Sequence, residues 1–301
     1  MDYALISPIR NEKENLLLLK KTVLNQVKIP SAWVIVDGDS HDGSYTIAQE
    51  IFGEFRWVHV IRQQTFFGKE YSHKNIAQAV NEGYVFVKKI CDENNIPYIG
   101  KVDASVELDA NYFHILLNGM EMDEKLAISC GKGHCTVDTH PTVFDKIATK
   151  DVMSGFNDNR LYRKEFLDEV GGYPLTYSPD TILLIKAMNR GWRIRIFPDT
   201  FYVDNRIGGS KIGMWKGFKL KGRALYHLGY HPLLVIGNFV YLCMTYSPHH
   251  CGFALLQGYL ESLVKHEGHI EDGEVYSYFH RQRLREIAKT LLPKIPKTHL
   301  E

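Results

Sequence analysis

Short apolar runs alternate with amphipathic stretches through the first half of the chain. Tyr3 to Ser7 has the length of a strand, and Glu12 to Gln26 repeats apolar residues at helical spacing. Trp33 to Asp37 predicts a second strand, Ser44 to Phe52 a helix, and Trp57 to Ile61 a third strand. His73 to Cys91 predicts a long helix, with further strands at Tyr98 to Asp103 and Leu126 to Cys130. Strands alternating with helices predict an α/β fold, a mostly parallel sheet covered on both faces. Ligands of such sheets bind beyond the carboxyl ends of the strands. Polar clusters fall there: Arg10-Asn11-Glu12, Asp37 to Ser44, and Asp103 to Glu107.

From Trp215 the pattern is helical: Trp215 to Leu228, Pro232 to Met244, Gly252 to Lys265, and Gly273 to Leu292 before Pro293. There is no internal repeat and no Gly/Ser linker. The boundary is therefore expected near 212/213, with residues 213–301 a helical extension packed on the domain of residues 1–212.

Composition narrows the classes. Lys+Arg 36 against Asp+Glu 35 leaves a charge of +1, which disfavours a nucleic-acid binder. Five cysteines without a C-x-x-C pair fit neither a disulfide framework nor a zinc ribbon, and point to a reducing compartment. The first residues carry no basic and long apolar leader, and no run reaches the length of a spanning helix. The expected location is cytoplasmic. His134, His140, His249 and His250 match no metal-ligand spacing and receive no role.

The segment Val36 to Ser44 closes a strand and opens a helix. Asp37, at the strand end, suits a ligand contact with a nucleobase or ribose; Asp42 suits a helix cap. Pro8-Ile9-Arg10-Asn11-Glu12 follows the first strand in the same way. In that order these motifs resemble inverting family 2 glycosyltransferases of the GT-A fold, with their Pro-x-x-Asn-Glu turn and Asp-rich second strand end. The resemblance implies a Rossmann-like, mostly parallel sheet flanked by helices. It places Pro8, Arg10 and Glu12 beside the nucleotide and Asp37 on its base.

The resemblance extends along the chain. Lys74 to Gly83 is similar to the family helix in which Lys74 would meet a phosphate. Lys101-Val102-Asp103-Ala104-Ser105 stands in place of the family's Asp-x-Asp, with Ser105 where the second Asp is expected. Asp103 and Ser105 would then meet the donor, with Glu107 reaching a metal through water. Asp109 reads as a cap. Asn159 to Tyr173 is similar to an acceptor-side helix ending in Gly171-Gly172, and Asp180 occupies the place of the general base. The family's metal-binding His is replaced: Asp204 and Asn205 align with it, giving Asp103, Asp204 and Asn205 as ligands of Mg²⁺ or Mn²⁺.

The function implied is inverting transfer of a sugar from a nucleotide-sugar, a UDP-sugar first, to a glycan or lipid-linked hydroxyl acceptor. No Ser/His or Cys/His nucleophile is implied. The rivals are a GT-A-like binding or scaffold protein without turnover, and a sugar nucleotidyltransferase. The second would want a Gly-rich phosphate loop that Pro8 to Glu12 lacks. The basic run Arg206 to Arg223 either closes over the donor or forms a solvated or membrane-facing surface. The apolar helices after it are candidates for peripheral membrane contact at the inner face or for a homo-oligomer interface.

Overall fold

The structure, a computed structural model, describes residues 2–67, 73–135, 159–205, 213–245 and 249–291. These residues fall in two compact units, one holding the sheet and its helices, the other the helices from Met214 on. The expected boundary at 212/213 falls beside residues 206–212, which lie outside the described residues.

The first unit is a mixed α/β fold around one curled eight-stranded sheet. Four strands follow the predicted alternation: β1 (Tyr3–Ile9), β2 (Ala32–Asp37), β3 (Val58–Arg62) and β4 (Tyr98–Lys101), all parallel. The remaining strands are β5 (Val106–Leu108), β6 (Leu126–Cys135), β7 (Arg160–Arg163) and β8 (Arg193–Asp204), in the sheet order β3-β2-β1-β4-β7-β6-β8-β5. Strand β7 runs antiparallel to both β4 and β6. Here the expectation of a helix from Asn159 is corrected. Arg160 to Arg163 is a central strand, and only Lys164–Glu169 (α5) is helical. Tertiary pairing on both sides outweighs a local pattern in which two arginines flank two large side chains.

Strand alternation sorts the core into two layers. Ala4, Ile6, Val34 and Val36 face α3 (His73–Asn94) through Ala77, Val80 and Val87. Tyr3, Leu5, Trp33 and Ile35 face the other way. They meet α1 (Leu16–Leu24), α2 (Ser44–Phe52) and α4 (Tyr112–Met122). Gly83 lets α3 lie close on the sheet: a Cβ there would stand 2.7 Å from Ile6 Cγ2.

A further helix, α6 (Pro179–Asn189), brings Leu183 and Leu184 to the α3 layer. In the second unit, α7 (Met214–His227), α8 (Pro232–Thr245) and α9 (Cys251–Val264) enclose Phe218, Tyr226, Val235, Leu242, Leu255 and Tyr259. Helices α7 and α9 touch backbone to backbone at Gly222 and Gly258, where a Cβ would meet a carbonyl oxygen of the opposite helix at 1.9 Å. The last predicted helix is broken by a π-turn at Tyr278–Gln282, between Gly273–Ser277 and Arg283–Leu291.

Candidate functional site

Strand β1 ends at Ile9 beside Asp37, the last residue of β2. The two loops that follow are bonded to each other. Asn11 takes a left-handed backbone (φ 52°), which Asn tolerates better than most residues. Its N–H donates to Ser40 Oγ (2.8 Å) and its Oδ1 accepts from the His41 N–H (2.8 Å). The Glu12 N–H donates to Ser44 Oγ (2.9 Å) and the Lys13 N–H to Asp42 Oδ2 (3.1 Å).

Asp42, expected as the N-cap of α2, stands one residue before it. Gly43 is the N-cap, and Asp42 Oδ1 accepts the Ser44 N–H (2.9 Å). Burial opposes its charge, but the hydroxyl and N–H of Ser44 and the Lys13 N–H outweigh it and hold its pKa below the ordinary value. Pro8 and Arg10 are half-buried at the same end of β1. Glu12 is buried and accepts from Asn15 Nδ2 (2.7 Å), an interaction within its own turn.

Asp37 is 2% exposed. Its Oδ2 accepts the Ser40 N–H (3.2 Å), while its Oδ1 is buried with no hydrogen-bond partner. A buried carboxylate oxygen without a donor is costly, and a ligand N–H or O–H would relieve that cost.

A second group of charges gathers two strands away. Lys101 closes β4 and stands directly opposite Arg160 across the antiparallel pairing with β7. Both are buried, and two cations opposed in this way repel unless carboxylates stand beside them. Lys101 Nζ lies 3.4 Å from Asp103 Oδ1 and 3.9 Å from Asp180 Oδ2. Arg160 Nη1 donates to the Asp180 carbonyl (2.7 Å), and the Tyr162 hydroxyl donates to Asp180 Oδ1 (3.0 Å). The Asn159 side chain fixes the Asp103 loop by accepting its N–H (2.9 Å).

Asp180 itself sits in the first turn of α6 after Ser178 and Pro179. Burial raises its pKa; the Lys101 ammonium and Arg160 guanidinium more than reverse this, with hydrogen bonds from Tyr173 and Tyr162. The carboxyl is held below its ordinary value and is ionised at neutral pH. Asp103 and Asp180, 77 positions apart, thus share one lysine. Lys101, Arg160, Tyr162 and Asn159 were not singled out by sequence reasoning. The usable signal was the i, i+2 spacing of Arg160 and Tyr162, which places both on one face once the segment is a strand.

The expected cation ligands arrange differently from the expectation. The Ser105 hydroxyl donates to Asp204 Oδ1 (3.1 Å) and the Ser105 carbonyl accepts the Asn205 N–H (3.2 Å). Glu107 pairs with Lys21 of α1 (3.5 Å). Among the described residues no group of three or more His, Cys, Asp or Glu gathers to hold an ion. One carboxylate beside an ammonium, and a second bonded to the serine in the ligand position, are a poor donor set for a hard dication. The residues present do not fit it.

Other expected contacts are placed as follows. Lys74 Nζ lies over the Tyr177 ring, 5.4 Å from its centroid. Gly171 and Gly172 both have left-handed backbones (φ 82° and 92°) and end α5, with the Gly172 N–H donating to the Leu167 carbonyl (2.7 Å). Asp109 Oδ1 accepts the Asn111 N–H (2.9 Å) just ahead of α4. Arg206, Lys211 and His140 lie outside the described residues. In α7, Lys219 and Arg223 both pair with Glu261 of α9 (2.6 and 3.0 Å), and Lys221 lies over the Phe218 ring.

No protein-family model matches the chain, and none of the curated proteins matches its sequence. Solved structures do match its fold. The mannosyltransferase PcManGT from Pyrobaculum calidifontis, in complex with GDP-Man and Mn²⁺, superposes with a TM-score of 0.55 at 15% identity, over 96% of this chain and 83% of that one. S. aureus TarS 1–349 in complex with UDP-GlcNAc gives 0.52 at 12% identity, over 97% and 80%. A longer S. aureus TarS structure gives 0.50 at 12%, over 94% and 45%. The mixed α/β fold is that of these proteins.

Proposed function

We propose that this chain is a glycosyltransferase of the inverting family 2 type, moving a sugar from a nucleoside diphosphate sugar to a hydroxyl acceptor. The observation that carries the reading is the buried, unpartnered Asp37 Oδ1 at the carboxyl end of β2. It can accept the imide N–H of uracil or the corresponding N–H of guanine. The complexes of the structural relatives with UDP-GlcNAc and GDP-Man support that donor class, a UDP-sugar being the first choice. Pro8 and Arg10 border the same strand end.

Asp180 is the general base. Ionised by its cationic neighbours, it takes the proton of the acceptor hydroxyl as that oxygen attacks the anomeric carbon. The bond to the diphosphate oxygen breaks on the opposite face, so a single displacement inverts the centre. Tyr162 holds the carboxylate, and Arg160 the main-chain carbonyl of the same residue, in place for this step.

The exposed Leu233, Ile236, Val240 and Met244, spaced along one face of α8, support contact with a membrane surface and a lipid-linked acceptor. Among the described residues no helix is long and apolar enough to cross a membrane. Co-sedimentation with anionic vesicles tests this contact, and failure to bind leaves a soluble glycan acceptor.

The primary experiment is a thermal-shift and calorimetric screen of UDP, GDP and their sugars, followed by donor turnover with candidate acceptors. A ligand that binds only the folded state raises the melting temperature. Absence of a shift with every nucleoside diphosphate would remove the reading. Binding without turnover under any condition would favour a scaffold role, for which Ser105 in the place of a carboxylate is the specific observation.

A further inference from the structure

We infer that Lys101 takes the place of a divalent cation in this site, so that nucleotide binding and sugar transfer proceed without metal. The inference rests on the proposed glycosyltransferase reading and concerns the charge that such a site must supply.

A nucleoside diphosphate brings at least two negative charges to the ends of β1, β2 and β4, and the departing diphosphate needs positive charge near it. A dication bridging two carboxylates is one solution. This chain has discarded its parts: Ser105 holds the position of the second carboxylate, and its hydroxyl is bonded to Asp204, the other expected ligand. In their place, β4 ends in a lysine whose side chain is 5% exposed and whose ammonium stands between Asp103 and Asp180.

Charge and geometry agree. Lys101 and Arg160 contribute two positive charges, and Asp103 and Asp180 two negative ones, so these four groups sum to zero before any ion enters. A dication bound to Asp103 would lie beside the ammonium 3.4 Å from the same carboxylate, and the two positive charges would repel each other. The lysine is also fixed: it is part of the parallel pairing with β1, opposite Ile6, and of the antiparallel pairing opposite Arg160. It is a positive charge held by covalent structure and not recruited from solution. Lys101 therefore acts as a positioning residue for Asp180 and as the resident counter-charge to Asp103, the carboxylate a dication would otherwise neutralise.

The test uses the full chain and isothermal calorimetry with UDP and GDP, in EDTA and in millimolar Mn²⁺. The expected result is a Kd that differs by less than about threefold between the two conditions, since the ammonium beside Asp103 already supplies the charge that a dication would bring there. Titration with Mn²⁺ alone is expected to show no saturable binding. Lys101→Leu is expected to lose about tenfold or more in nucleotide affinity in EDTA, the scale of one hydrogen bond to a charged group. The double variant Lys101→Leu with Ser105→Asp is expected to regain affinity only when Mn²⁺ is added. A merely structural lysine would not produce that switch in metal dependence.

A wild-type affinity that rises tenfold or more with Mn²⁺ overturns the inference while leaving the proposed function standing. This arm holds even if the variants fail to fold. No binding of either nucleotide under any condition overturns the inference and the glycosyltransferase reading together.

Discussion

The sheet unit carries two lysine–aspartate networks of opposite character. On the surface, Lys88, Asp92, Lys164 and Asp168 close on one another: Lys164 reaches Asp92 at 2.5 Å and Asp168 at 2.7 Å, and Lys88 reaches Asp168 at 2.6 Å. The Tyr84 hydroxyl adds a third bond to Asp168 (2.8 Å). Beyond the carboxyl end of β4, the Lys101 contacts are longer, 3.4 and 3.9 Å, although the lysine is nearly enclosed. The surface network links its four charged side chains directly to one another. In the enclosed one Asp103 remains about one-third exposed, and Asp37 nearby in the sheet order holds an oxygen with no donor. Short contacts thus mark the network that ties α5 to α3, while the longer ones gather around the enclosed lysine at the end of β4.

Four substitutions sharpen or break this contrast. The largest effect is expected from Asp180→Asn, which keeps the side chain's shape and removes its basicity. Turnover should fall about 10²–10⁴-fold while nucleotide affinity stays near wild type. Steady-state rates beside calorimetric Kd values check this, and near-normal turnover removes Asp180 from the chemistry. Next is Asp37→Asn, expected to weaken nucleotide binding by roughly 10- to 100-fold, the range of a hydrogen bond to a charged group. Its melting temperature should not fall, because the oxygen concerned has no partner to lose.

Tyr162→Phe removes one of the bonds orienting Asp180, and about a fivefold loss in kcat is expected, corresponding to roughly 1 kcal/mol. An unchanged rate would show that Lys101 and Arg160 suffice to hold the carboxylate.

Asp168→Asn is expected to have the smallest effect. Burial raises the pKa of Asp168, but Lys164, Lys88 and Tyr84 together bring it down to about 2 from 3.8. A depressed carboxyl stabilises the fold fully above its unfolded value and loses that contribution as pH falls through its folded one. For a group this solvent-accessible the contribution at pH 7 is about 1 kcal/mol or less. Denaturant unfolding should therefore separate variant and wild type at pH 7, with the gap closing between pH 4 and pH 2. Transfer activity at pH 7 should not change. A large activity loss would break the distinction between the two networks.

The parts of the fold legible in the sequence were those whose pattern is local. The runs Tyr3 to Ser7, Trp33 to Asp37, Trp57 to Ile61 and Tyr98 to Asp103 announce strands because each is short and apolar, and the observed strands end within two residues of them. Helix α2 begins and ends where the pattern places it. Val106–Leu108 has three residues and is set by pairing with the end of β8, so nothing local distinguishes it from a turn. Arg160 to Arg163 reads as helix beside Lys164-Glu165-Phe166 and becomes a strand only because β4 and β6 enclose it. Asp37 was singled out by its place at a strand end, and Asp180 by the resemblance to the family motif. Lys101 was not: a lysine closing a strand ordinarily reads as solvated, and the carboxylate that gives it a purpose lies 79 positions on. The basic run likewise looked like a field of unspent charge until Glu261 came across from α9 to meet Lys219 and Arg223, which hold its pKa at about 2.

The bonding between the Asn11 and Ser40 loops has a thermodynamic consequence. Loops that wait for a ligand to order them surrender conformational entropy at the moment of binding, and that loss is deducted from affinity. Here four hydrogen bonds made by the protein alone join the two loops, and they hold Asn11 in its left-handed backbone. Under the proposed function, a nucleotide would meet two loops tied to each other, and its affinity would follow how well base and phosphates complement them instead of the cost of closing a loop.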